Sequence, residues 1–534
     1  MSTSEYPAER FRRTRLSGLG DTSAVKAVSA DVWVLVALVV LATVIRIVTI
    51  DNQSFWQDEA LTAYEAKLSF GAMINTVVHV ETTPPLYFVL AWLVAHVLGS
   101  GEVALRSIST IAGIAMVPIA YYSTRELVSR WAGVVAAAFV TVNPYLIWFS
   151  QEARAYMLLA ALTGASFLWF ARVRREPSRR NVVWWTICSA LALMTHFFAG
   201  FAVAPEALWL LWISRTRLVA AAVAVVALTQ MAMLPFAITD TSHGVNWISS
   251  IPRLNRVSDA IAEWGVSNLY RGATVNHRLA GGAAVLAIAA ALVVVGGNRR
   301  TRDGAKVAAV IAGCVALTPL ALGLLGQDYF LARNVIPAFI PLATVLAAAC
   351  AAPRTRLLGG ALALALLAMF SVAAARVQSR PYLERPDWRA VGHALDAATV
   401  PRAILAAGGT TAQPLKIYLP HVDWTEPRTH ELWIREVDVV GAIKRMPLLP
   451  VTRRGPRALL EPLTYSPSGS SPPRSIAPDG ARLLRRFHID SWIVARFALR
   501  RPMRTSIDQL TKLAPAFFRR TPRALLVFFQ PPRR

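Results

Sequence analysis

Apolar runs of roughly 17 to 22 residues recur through the first 375 positions of the chain, each about the length a helix needs to cross a bilayer core. Inside hydrocarbon no water is available to satisfy backbone N–H and C=O groups, so runs of this length are read as helices rather than strands or loops. Composition agrees. Of 534 residues, 55% are hydrophobic and 16% charged, with mean hydropathy +0.44, which is too apolar for a soluble protein of this size. The expected fold is an α-helical polytopic membrane protein. The runs at 32–50, 106–123, 132–149, 155–171, 182–196, 198–213, 218–238, 279–296, 307–325, 335–352 and 357–375 make about eleven crossings, with interfacial helices between some of them. The N-terminal region 1–31 is polar and basic, with no small-residue cleavage site where a signal peptide requires one, so the first run is read as a retained span.

The run 84–99, PPLYFVLAWLVAHVLG, is short and opens on two prolines that suit a helix's first turn. Charge decides its reading. If it does not cross, the basic N-terminus, Arg125, Arg130 and the loops RVRREPSRR, SRTR, NRRTRDGAK and PRTR all share one side, which is then the cytoplasm. The run is therefore placed as an interfacial or re-entrant helix on the outer side. The same orientation brings Asp58, Glu59, His79, Glu81, Arg106, Gln151, Glu152, Arg154, His196, Asp328 and Arg333 to the outer face of a plasma membrane. The organisation expected is a cytoplasmic N-terminus over 1–31, a membrane domain over 32–375 whose first outer loop is 51–105, and an extracytoplasmic domain over 376–534.

That last region changes character, with many prolines and a net charge of about +15. DWRAVGHALDAA has the spacing of an amphipathic helix, AILAAGG of a buried strand, TAQPLKIYL of another helix, and DSWIVARF and ALLVFF of further strands, so a small α/β domain is expected. The stretch 450–480 reads as loop. Cys188, Cys314 and Cys350 fall inside expected spans and have neither disulfide nor metal-ligand spacing. The net charge of +25 sits in membrane-adjacent segments, which favours anionic lipid over nucleic acid as a partner.

Chemistry concentrates where spans end. SFWQDEALT follows the first span with two adjacent acids, SQEARAYML places Glu152 and Arg154 in a tight turn, and Gln327-Asp328-Tyr329 precedes Arg333. A cavity ringed by carboxylates and arginines can hold a phosphate and deprotonate an acceptor. Arg106 reads equally as a phosphate ligand or as an interfacial anchor, and His196 more readily as an interfacial residue than as a ligand. Asp58, Glu152 and Asp328 have the oxygen chemistry of a divalent cation site, but the arginines could neutralise phosphate alone, so metal and cofactor stay unassigned. Most of the sixteen tryptophans suit interfacial belts, with Trp56 and Trp247 as candidate sugar-stacking platforms.

The chain resembles the polytopic GT-C glycosyltransferases, in particular the protein O-mannosyltransferase and aminoarabinose transferase branch. The likeness rests on FWQDEALTAYEA, TTPPLYFVLAWLV, GEVALRSISTIAGIAMVPIAYY and NPYLIWFSQEARAYMLLAAL, in that order, with THFFAGF and DWRAVGHALD further on. It is strongest over 50–200. The resemblance implies transfer of a sugar, mannose or another hexose or pentose, from a polyprenyl-phosphate donor to a glycan, lipid or protein acceptor, with inversion. The family's first-loop catalytic Asp maps onto Asp58, with Glu59 orienting the loop or binding acceptor. Glu152 stands where the family has a second-loop Asp. ETTPP replaces a pattern with Lys or His before the paired prolines, leaving Glu81 or His79 for that place. Two other classes fit many spans with ionisable residues: a transporter, and a non-catalytic lipid-binding partner in envelope assembly. Acids at span ends and the lack of matching halves argue against the first, and the intact acid pair against the second.

Overall fold

The computed structural model describes residues 30–81, 83–238, 246–380, 385–442, 481–489, 492–514, 517–518 and 524–533. All eleven apolar runs are helical. In chain order the helices are α1 (Ala30–Val48), α2 (Gln57–Glu65), α3 (Phe70–His79), α4 (Leu86–Leu98), α5 (Glu102–Leu127), α6 (Arg130–Val142), α7 (Pro144–Ser150), α8 (Tyr156–Arg175), α9 (Arg179–Thr195), α10 (Gly200–Ile213), α11 (Arg217–Ile238), α12 (Arg253–Val266), α13 (Val275–Gly296), α14 (Arg299–Leu324), α15 (Phe339–Cys350) and α16 (Arg356–Ser379).

Seven of these are long and apolar enough to cross a membrane: α1, α5, α8, α11, α13, α14 and α16. An eighth is α6 with α7, a single run in the sequence that bends by 59°. Asn143-Pro144 causes the bend. Asn143 ends α6, and its side chain accepts the Leu146 amide at 3.0 Å to start α7, while Pro144 has no N–H to continue the first helix. The remaining three expected crossings, α9, the 197–213 segment and the 336–350 segment, are shorter than the roughly 20 residues a straight span needs. The run at 84–99 forms α4, whose 13 residues rise about 20 Å, too short for a crossing.

Beyond α16 a mixed five-stranded sheet has the order β3-β4-β2-β1-β5, with β1 (Arg402–Ala407), β2 (Leu432–Ala442), β3 (Ala481–Ile489), β4 (Trp492–Thr505) and β5 (Leu525–Gln530). Only β1 and β2 run parallel. Apolar clusters cover both faces. One is built on α17 (Trp388–Leu395) and α18 (Leu415–Tyr418), the other on α19 (Ile507–Leu513). The expected α/β character holds, and β2 and β3 are additions to it. The loop expected at 450–480 lies outside the described residues. Among the described residues all three cysteines are free.

The sheet domain is fastened to the α1–α2 loop by hydrogen bonds. Ser54 Oγ donates to the Pro386 carbonyl at 2.9 Å and accepts the Trp388 amide at 3.0 Å. The Tyr418 hydroxyl accepts the Phe55 amide at 2.7 Å and donates to Glu102 at 2.6 Å. Trp424 stacks on Tyr64 with 4.8 Å between ring centroids. These contacts place the domain against α2.

Candidate active site

The two adjacent acids have opposite surroundings. Both lie in the first turn of α2, where the helix dipole favours carboxylates, but one residue of advance rotates a side chain by about 100° around the axis. Glu59 turns inward and is fully buried. Its Oε1 accepts Arg106 Nε at 2.8 Å and the Ala153 amide at 2.8 Å. Its Oε2 accepts Arg106 Nη2 at 2.9 Å, Arg385 Nη1 at 3.0 Å and the Trp56 amide at 3.3 Å. Arg106 directs its other N–H groups to the carbonyls of Ile50, Gln53 and Ser54 at 2.9, 2.7 and 3.2 Å. All five of its donors are thereby used. Burial pushes the Glu59 pKa up, but the Arg106 and Arg385 guanidiniums outweigh it and hold the carboxyl below its ordinary value. An anion with that many donors has no lone pair to offer an acceptor's proton. Glu59 and Arg106 form the knot that holds the first loop, an arrangement in keeping with the loop-orienting role expected for Glu59 and one that leaves neither its carboxylate nor the Arg106 guanidinium free for substrate.

Asp58 turns the other way. It is partly exposed, and among the described residues its carboxylate has no hydrogen bond or ion pair. Its charge acts on Arg154, Arg333, Tyr156 and Glu152, so these groups lie near one another. Arg154 grips Glu81 in a bidentate pair at 3.0 and 2.9 Å, and its Nη1 reaches Thr62 Oγ1 at 3.3 Å. Arg333 lies with its guanidinium carbon 5.5 Å from the Tyr156 ring centre and 5.6 Å from that of Trp247. Among the described residues it makes no hydrogen bond or ion pair, and its Nε is buried without a partner. A half-buried guanidinium that lies against aromatic faces, with the Asp58 and Glu152 charges near but not bonded to it, is available to an anion. His196 is buried beside them, its ring 5.8 Å from Tyr156, with Nδ1 accepting the Phe198 amide at 3.3 Å.

Glu152 is buried in the turn before α8 and paired with Arg385, while its Oε1 has no partner. Burial pushes its pKa up to about 7, opposed by Arg385 and assisted by the charges of Glu59 and Asp58. Asp328 does not join this group. It pairs with Arg256 at 2.9 Å and Arg253 at 3.6 Å, so the oxygen cluster of Asp58, Glu152 and Asp328 is not formed. Among the described residues no group of three or more His, Cys, Asp or Glu side chains is arranged to hold a metal ion. His79 is exposed, its Nδ1 2.8 Å from the carbonyl of Asn75 in its own helix.

Sequence reasoning missed Arg385. It comes from the strand of chain that leads into the sheet domain and bridges Glu59 to Glu152, its guanidinium carbon 4.6 Å from the Trp148 ring centre and 5.5 Å from that of Trp56. The available signal was its position, two residues before the DWRAVGHALD segment singled out for its resemblance.

Glu65 was also missed. It sits two turns beyond Asp58 on the same face of α2, with both carboxyl oxygens buried and unpartnered. Burial and the Glu81 charge push its pKa up to about 9 against the pull of Arg154. A carboxyl raised above its ordinary 4.5 favours the fold while protonated. That contribution is complete below the ordinary value and is lost as pH rises through about 9. Glu65→Gln keeps the shape without the charge, so its melting temperature should exceed the parent's by a few degrees near pH 9 and converge with it near pH 5. Parallel melting curves at both pH values would refute a neutral Glu65.

The sequence profile described as dolichyl-phosphate-mannose-protein mannosyltransferase matches residues 82–239. ArnT from Cupriavidus metallidurans bound to undecaprenyl phosphate superposes with a TM-score of 0.51, at 13% identity, covering 88% of this chain and 98% of that one. The chain shares the fold of that ArnT. The apo form of the same ArnT gives 0.47 at 13% identity over 72% and 85% of the two chains. The archaeal oligosaccharyltransferase AglB from Archaeoglobus fulgidus gives 0.45 at 13% over 68% and 57%. No curated protein matches the chain in sequence. In this chain the profile covers Arg106, Glu152, Arg154 and His196, while Asp58, Arg333 and Arg385 lie outside it.

Proposed function

We propose that this chain is a membrane glycosyltransferase of the GT-C class that moves a sugar from a polyprenyl-phosphate donor to an acceptor hydroxyl at the outer membrane face, with inversion. One observation carries the reading. Asp58 and Arg333 are opposite charges within each other's field, and among the described residues neither side chain has a hydrogen bond or ion pair, which leaves a carboxylate for a base and a guanidinium for an anion. A hydroxyl is a poor nucleophile until its proton is taken, and the Asp58 carboxylate accepts that proton as the oxygen attacks the anomeric carbon. The bond from that carbon to the donor phosphate breaks on the opposite face, which inverts the centre. The lipid phosphate leaves as an anion and needs a cation rather than a proton, which Arg333 supplies through its free N–H groups. Arg154, fixed by Glu81, adds positive potential to the same space. ArnT was crystallised with undecaprenyl phosphate, a lipid of the proposed donor class, and the basic loops cluster at the opposite ends of the helices, as the orientation requires.

The function is tested by release and transfer of labelled sugars from polyprenyl-phosphate donors in a membrane mimetic, with and without an envelope extract as acceptor source. Arg333→Gln should raise the KM for donor by about tenfold or more, and Arg333→Lys should restore part of it, because a point charge replaces a fork. An unchanged donor KM in Arg333→Gln would remove Arg333 from the phosphate site.

A further inference from the structure

A second cationic site lies at the other ends of the same helices. A cleft of about 440 Å3 is lined by Arg125, Arg130, Arg172, Arg175 and Arg300, with Glu126 as the one carboxylate among its lining residues. Nineteen residues of α5 separate Arg106 from Arg125, about 28 Å of helix, and sixteen of α8 separate Tyr156 from Arg172, about 24 Å. The cleft therefore faces the opposite membrane surface from Asp58.

Its charges are unevenly compensated. Glu126 pairs with Arg175. Arg300 donates to the carbonyls of Arg125 and Glu126 at 3.3 and 3.1 Å, closing the C-terminus of α5. Among the described residues Arg130 and Arg172 have no hydrogen bond or ion pair. Arg172 rests on Trp169, 4.4 Å from the ring centre, and Trp169 stacks on Trp184 at 5.9 Å. Trp131 and Trp184 are exposed at the same end of the bundle, which sets the cleft at the depth where tryptophan meets lipid head groups.

We infer that this cleft binds the phosphate of an anionic phospholipid head group, with Arg130 and Arg172 as its principal ligands. Arg172, held on Trp169, and Arg130, on a separate helix, offer forked donors to phosphate oxygens, and the aromatic rim favours a membrane lipid over a soluble phosphate. The site is independent of the proposed transferase reaction.

The test is native mass spectrometry of the full chain after exposure to phosphatidylglycerol, cardiolipin or phosphatidylcholine. Anionic lipid should remain bound to the parent, and retention should fall by at least about tenfold in Arg130→Gln/Arg172→Gln, with phosphatidylcholine retention unchanged. Arg354→Gln/Arg356→Gln, which removes two charges outside the cleft, should retain lipid as the parent does. Equal retention by the parent and the cleft variant overturns the site, as does equal loss in the two double variants. Inorganic phosphate or pyrophosphate quenching tryptophan fluorescence, with no anionic lipid retained, overturns the lipid assignment. Should the glutamine double variant fail to fold, Arg172→Gln against Arg172→Lys reads the same ligand, and equal retention by those two overturns the role of Arg172.

Discussion

Asp58→Asn is expected to lower sugar transfer by about a hundred- to ten-thousand-fold while donor affinity stays within about threefold of the parent. The size follows from the role. Asparagine matches the carboxylate in shape but cannot accept a proton, so it removes an interaction made as the acceptor loses its hydrogen and leaves ground-state binding of the lipid phosphate to Arg333. The fold should be little affected, because the partly exposed Asp58 carboxylate has no hydrogen bond or ion pair among the described residues, and what the substitution would lose is a first-turn dipole interaction of about 0.3–1 kcal/mol and an unbonded attraction to Arg154 and Arg333. Single-turnover transfer with donor bound, alongside donor titration, separates the two quantities. Parent-like turnover in a folded variant would move the base elsewhere, and Glu152 would be next, since its carboxyl sits near pH 7 with one free oxygen. Loss of donor binding together with turnover would mean that Asp58 positions the donor rather than deprotonating the acceptor.

Helices were legible because a bilayer leaves the backbone few choices, and every run long enough to read was helical. The bend at Asn143-Pro144 was written in two residues, yet averaging hydropathy over a span conceals it. In the sheet domain β1 and β5 stood out as apolar runs, whereas β2 is LWIREVDVVGA, whose charges disguise a largely buried strand. Asp438 on β2 is fully buried, and its charge is met by Arg402 on β1 at 3.0 Å and Arg496 on β4 at 2.9 Å, partners that exist only once the sheet has formed. The site divides in the same way. Its first loop was visible as an acid pair after a span, but which acid points into the cavity depends on the packing around α2. Arg385 lies 326 residues from Glu59 in sequence, so their pairing has no local signature.

That pairing supports the other large expected effect. Glu59→Ala should destabilise the folded protein by about 3–5 kcal/mol, because it leaves Arg106 a buried cation without its anion and Arg385 with Glu152 alone. Arg106 would keep three backbone carbonyls, but carbonyl dipoles do not replace a full charge, and the amides of Trp56 and Ala153 would lose their acceptor as well. Glu59→Gln is the more discriminating variant. An amide offers one acceptor oxygen where the site has five donors converging, and its NH2 group would face guanidiniums, so this change should also cost stability and lower the melting temperature in detergent. A catalytic Glu59 predicts the reverse, a folded Glu59→Gln protein with the parent's melting temperature and no turnover. If Glu59 holds the loop, then Arg385→Gln should weaken the fold by the same route, since it exposes Glu59 and Glu152 to each other's charge with one guanidinium fewer between them. Without the guanidinium that lowers its pKa, Glu152 should stay protonated to higher pH than in the parent, where it sits at about 7, so the variant's loss should deepen as pH rises above the ordinary 4.5 and go further than the parent's. A melting temperature independent of pH across that range in Arg385→Gln would separate Glu152 from the knot and leave Arg106 alone to hold Glu59.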